Sequence, residues 1–111
     1  MTTTPPEMAQ ALARLWTKFQ PDIEQRVATL EVAAQALPEG SLTDEQRESA
    51  HAAAHKLAGT LGMFGLHRGT ALARQAELAL AEDIRSSATV ELSSELSSWI
   101  AELRAVIADR K

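Results

Sequence analysis

Apolar residues recur at steps of three and four along almost the whole chain, and this spacing restricts the fold more than any other feature. Met8, Leu12, Leu15 and Phe19 make one run, and Ile23, Val27, Leu30, Ala34 and Leu37 make the next. Later runs are Ala50, Ala54, Leu57 and Leu61, then Leu66, Gly69, Ala73, Ala76 and Leu80, then Leu92, Leu96, Trp99, Leu103 and Val106. A repeat near ~3.6 residues lines such side chains along one face of an α-helix, whereas a half-buried strand needs strict alternation. Helices of this kind are held mainly by packing their apolar faces together, so several of them in one chain imply a bundle. The aromatic set is only Trp16, Phe19, Phe64 and Trp99, with no Tyr, so β-rich folds lack the residues they favour. All four are most simply core residues; Trp16, at the edge of its stripe, is the one expected to join a docking patch if any stays exposed.

Punctuation between the runs sets the element boundaries. Pro21 has no amide hydrogen and disfavours helix at Gln20, which predicts a short helix over about 7–19 and a separate one over about 21–37. Pro38-Glu39-Gly40-Ser41 then reads as a stop. Thr43 followed three residues later by Gln46 has the pattern of a capping box and starts a helix over about 43–61. The glycines of Gly62-Met63-Phe64-Gly65 permit a sharp turn into a helix over about 66–82. A mostly polar connection, Asp83 to Ala88, leads to the last helix, about 88–109. The expected fold is all-α: an up-down antiparallel four-helix bundle with an additional short N-terminal helix, forming one domain over 1–111. The Met1 start and the full set of bundle helices favour a free-standing protein.

Several function classes are excluded or disfavoured by composition. Zero cysteines remove disulfides, thiolate metal sites and thiol nucleophiles. The formal charge of -4, with 11 scattered Lys and Arg, argues against a nucleic-acid surface. No stretch has the apolar length of a membrane span, and Met1–Gln10 lacks a signal core. A cytoplasmic location is expected, with a protein partner or a small ligand.

The third run is the informative one. At ~100° per residue, His55 lies about 160° from Leu57 and therefore points away from the core. Glu48, His51, Ala52, Ala58, Gly59 and Gly62 fall within about 60° of it. Glycine inside a helix costs roughly 1 kcal/mol relative to alanine, so Ala58, Gly59 and Gly62 on this face ask for a reason beyond helix stability. Clearing the neighbouring turn opens an imidazole nitrogen to close approach by another macromolecule.

The run Ala54-His55-Lys56-Leu57-Ala58-Gly59-Thr60-Leu61-Gly62-Met63-Phe64-Gly65-Leu66, followed by Leu72-Ala73-Arg74 and Glu77, resembles the histidine-containing phosphotransfer (HPt) domains of two-component phosphorelays. The resemblance implies a four-helix bundle in which His55 accepts a phosphoryl group from a receiver-domain aspartate and passes it to another receiver. It implies Gly59 as the residue that clears space, Gly62 and Phe64 as parts of the supporting turn, and Lys56 as a phosphate neighbour. His51, Ala52, Met63 and Arg68 are candidate docking residues. The implied partners are response-regulator receivers and a hybrid sensor histidine kinase, with Mg²⁺ on the receiver, no cofactor in this chain, no kinase activity of its own, and a monomeric state. One position departs: the family often has lysine three residues after the histidine, and this chain has Ala58. Lys56, Arg68 or the partner would then supply the positive charge.

Two other readings come from different classes. Glu48, His51 and His55, spaced three and four apart on one face, have the spacing of a helical metal site. Against it, di-metal bundles draw ligands from further helices, and no second Glu-x-x-His segment is present. The chain could also bind a receiver as an interaction module without transferring anything.

Overall fold

Pro6 opens the first helix, at a position where a missing amide hydrogen costs nothing because first-turn donors have no intrahelical partner. The computed structural model describes residues 6–81 and 89–110. In them the chain forms α1 (Pro6–Ala36), α2 (Asp44–Met63), α3 (His67–Ala79) and α4 (Thr89–Asp109), with no strand. α1 packs on α2, α2 on α3, α3 on α4, and α4 closes back on α1. The fold is therefore an all-α four-helix bundle. The connection expected over Asp83–Ala88 lies outside the described residues, among which no helix is long and apolar enough to cross a membrane.

The break expected at Pro21 is absent. α1 continues through it as a 31-residue helix, so the short element expected at 7–19 and the one expected at 21–37 are a single element. Proline inside a helix costs about 3 kcal/mol, part of it from the carbonyl four residues back that loses its donor. Here that residue is Thr17, and both it and Pro21 are exposed, so the carbonyl lies where solvent can reach it. Burying Trp16, Ile23, Val27 and Leu30 along one face, at roughly 1.5–3 kcal/mol for each large side chain, outweighs the remainder.

Continuity also sets the phase of the N-terminal stripe. Measured from the fully buried Ile23, Trp16 lies about 20° away and Leu15 about 80°. Trp16 is accordingly a buried core residue, as its core reading has it, while Leu15 and Met8, expected to face inward, are exposed. The Trp16 ring packs edge-on against Phe64 with centroids 5.1 Å apart, and Phe19 lies 6.3 Å from the same ring. The Arg110 guanidinium sits 5.2 Å from the Trp16 centroid, closing this end of the bundle by a cation–π contact.

Ala50, Ala54, Leu57 and Leu61 of α2 meet Ala73, Ala76 and Leu80 in the core as expected, joined by Leu72. In α4 the buried set is Leu96, Ile100, Leu103 and Ile107, with Leu92, Trp99 and Val106 at its margin. The inward face of α4 is thus turned from the expected stripe toward Ile100 and Ile107, because α4 must cover both α1 and α3. Arg104 of α4 ties to α1, bonding Glu31 at 2.7 Å and Glu24 at 3.2 Å. Hydrogen bonding from Arg104 holds the Glu31 carboxyl below its ordinary range, against a small opposing effect of burial. These groups are exposed, so the cluster orients helices more than it stabilises them.

Two local devices build the ends of α2. The Thr43 hydroxyl accepts the Gln46 amide and the Gln46 side chain accepts the Thr43 amide, each at 3.0 Å, which is the expected capping box. At the other end Gly65 adopts φ +74°, with its amide on the Gly62 carbonyl and the Leu66 amide on the Leu61 carbonyl. This Schellman pairing turns the chain back into α3, and the left-handed residue it needs is glycine. Gly69 serves packing instead, since a Cβ there would stand 2.9 Å from Leu61 Cδ1 and 3.3 Å from Val106 Cγ1. Gly69→Ala is expected to destabilise the bundle by about 1 kcal/mol, overpacking exceeding the gain in helix propensity. The midpoint of urea unfolding measures it.

Candidate functional site

The α2–α3 hairpin is held in register at three levels. Arg47 donates to the Leu80 carbonyl at 2.7 Å, the Thr70 hydroxyl donates to the Ala58 carbonyl at 3.1 Å, and Gly62 faces Thr70 across the turn. This register brings Glu77 of α3 opposite His55 of α2, where Nδ1 and the Glu77 carboxylate Oε2 are 2.6 Å apart. A carboxylate oxygen can only accept, so Nδ1 carries the shared hydrogen and donates it. Nε2, the atom that carries the lone pair when the ring is neutral, has no partner among the described residues. The His55 side chain is 71% exposed and that of Glu77 is 22% exposed. The site is therefore a half-buried carboxylate holding one edge of an imidazole whose other edge faces solvent.

The neighbourhood of His55 is open on one side. A Cβ built on Gly59, one turn further along α2, would meet nothing within 4 Å. Neither backbone conformation nor packing within the chain requires glycine there, in contrast to Gly65 and Gly69. The surface beside His55 is open at this position. Gly59→Leu is expected to leave the fold intact and to slow any reaction at His55 that needs close approach of a second protein, by about tenfold. That is a fraction of the ~10²-fold that ~1 Å of misplacement can cost. Rapid-quench kinetics beside a circular dichroism melt tests the pair of statements.

Other residues singled out in the sequence fall in different places. Ala52 and Met63, the candidate docking residues, are exposed on α2, as are Lys56, the candidate phosphate neighbour, and Gly62 of the turn. His51 points its Nε2 to within 4.0 Å of the same Glu77 oxygen. Ala58 does not belong to the cleared face: it is 6% exposed because α3 covers the side of α2 on which it lies. Arg68 ion-pairs with Glu102 of α4. It stands nine residues before Glu77, about 180° around α3 and about 13.5 Å along it, so it is remote from His55. Glu48 is exposed and pairs with Arg47, and among the described residues no three His, Asp or Glu side chains are grouped to hold a metal ion.

Sequence reasoning gave Glu77 no role, although equal steps back and forward from Leu66 reach His55 and Glu77. It also passed over Leu78, 75% exposed beside Glu77. Leu78 stands off the inward stripe of Gly69, Ala73, Ala76 and Leu80, which is the signal that marks it. With Ala52, Gly59 and Met63 it adds to a surface of small and apolar side chains on the α2–α3 hairpin that carries the imidazole, a composition suited to protein contact.

The family model described as Hpt domain matches residues 14–106. Protein RcaC of Microchaete diplosiphon is 39% identical over 66 residues, covering 60% of this chain and 10% of that protein. The chain thus spans about a tenth of the length of this relative. No solved structure gives a significant match.

Proposed function

This chain belongs to the Hpt domain family, whose members transfer phosphoryl groups in two-component relays and carry no kinase activity of their own, and on that premise we propose that His55 is its phosphoryl carrier. The observation that supports this most is the 2.6 Å contact between His55 Nδ1 and Glu77, which holds the ring in the tautomer whose Nε2 is nucleophilic and leaves that atom exposed. A receiver domain bearing an aspartyl phosphate docks on the exposed face of the α2–α3 hairpin. The Nε2 lone pair attacks phosphorus, the bond from phosphorus to the aspartyl oxygen breaks, and its electron pair leaves with the carboxylate. The proton on Nδ1 stays where it is, and the Glu77 carboxylate balances the positive charge that the phosphorylated ring acquires. Transfer onward to a second receiver is the same step reversed.

Positioning and charge stabilisation account for most of the acceleration in such a transfer, so the carrier side needs only an oriented, accessible nucleophile. The receiver supplies the Mg²⁺ that neutralises the moving phosphoryl oxygens. The experiment is to mix the full chain with a ³²P-phosphorylated receiver and separate the two proteins. The expected result is label on this chain that is lost in acid and kept in base, as for a phosphoramidate. Stable complex formation without label would replace transfer by receiver binding alone.

A further inference from the structure

A phosphoryl group on His55 Nε2 adds negative charge to a surface where position 58 supplies no lysine and is turned into the α2–α3 contact. Of the four Lys and Arg side chains on the two helices, Arg47 is held by the Leu80 carbonyl and Glu48, which leaves three as candidates for the counter-charge. Arg68 is committed to Glu102 on the far side of α3. Lys56 lies about 100° around α2 from His55, on the side turned to α1, where it borders a shallow depression with Asp22, Arg26, Thr29 and Ser49.

Arg74 stands differently. It is four residues after Thr70 and three before Glu77, and both of those reach across to α2, at Ala58 and His55. Arg74 therefore lies on the same edge of α3, about 40–60° further toward solvent, between the levels of Ala58 and His55. It is exposed and makes no hydrogen bond, ion pair or ring contact among the described residues. The Thr70–Ala58 and Glu77–His55 contacts bracket it along the seam between α2 and α3.

We propose that Arg74 is the phosphoryl-binding cation of this protein, reaching across the seam between α3 and α2 to pair its guanidinium with oxygens of the phosphoryl group carried on His55. The inference rests on the carrier reading above. A guanidinium fork suits two phosphoryl oxygens at once, whereas an ammonium acts as a single point charge. Arg74 favours the phosphorylated state over the unphosphorylated one, so it shifts the equilibrium of transfer as well as its rate.

The test measures the share of ³²P on this chain at equilibrium with a phosphorylated receiver, for the wild type, Arg74→Gln, Arg74→Lys and Lys18→Gln, the last removing one remote positive charge from α1. Arg74→Gln is expected to lower the equilibrium constant for phosphorylation of this chain about fivefold, in line with an exposed charge-assisted pair. Arg74→Lys is expected to restore part of the loss, and Lys18→Gln to match the wild type. A wild-type equilibrium constant in Arg74→Gln would overturn the proposal, and so would a slower approach to an unchanged equilibrium, which assigns Arg74 to receiver docking instead. If the wild type takes up no acid-labile label, it is the carrier reading that fails.

Discussion

Replacing His55 with Gln is expected to abolish uptake of acid-labile label from a phosphorylated receiver while leaving the bundle folded. The two halves follow from one geometry. The His55 side chain is 71% exposed and its sole hydrogen bond among the described residues is to Glu77, so the substitution leaves the core untouched and should change stability within about 0.5 kcal/mol. The glutamine amide has no lone pair with the nucleophilicity of an imidazole nitrogen, so no phosphoramidate forms. His51 provides a discriminating control, because it is partly exposed and lies near the same Glu77 oxygen. Label persisting in His55→Gln and disappearing in His51→Gln would move the acceptor one turn along α2 and defeat the assignment.

Glu77→Ala is expected to slow transfer to His55 by about 10- to 100-fold, the range seen when a residue that orients a functional histidine is removed. Three consequences act together. The ring loses its fixed orientation, the hydrogen is free to move to Nε2 and block the attacking lone pair, and the charge on the phosphorylated ring loses its counter-ion. Glu77→Gln separates them, since its carbonyl oxygen still accepts from Nδ1 while carrying no charge. It should fall between wild type and Glu77→Ala. A readout independent of rate is the ¹⁵N spectrum of the imidazole: wild type should show the hydrogen on Nδ1, and Glu77→Ala a mixture of tautomers. Wild-type kinetics in Glu77→Ala would remove Glu77 from the mechanism, whatever the contact distance.

Much of this protein was legible from residues close together in the chain. Thr43 and Gln46 cap the start of α2, Gly65 turns its end, and the inward faces of α2 and α3 fall on the residues their spacing marks. His55 was placed outward by angle alone. All these features depend on interactions spanning a handful of residues, which periodicity and turn chemistry report directly.

Tertiary structure decided what depends on partners far along the chain. Pro21 is a local stop signal, overruled because burial of Trp16 and Ile23 on either side of it stabilises one continuous helix. The same continuity put Trp16 in the core and Leu15 outside it. Ala58 shares a wheel sector with His55, yet α3 covers it; Arg68 follows the same turn, yet Glu102 holds it away. Most consequential, the chain marks His55 as exposed but does not say which nitrogen is free. That is settled by Glu77, 22 residues later, through a helix-to-helix register that no local pattern encodes.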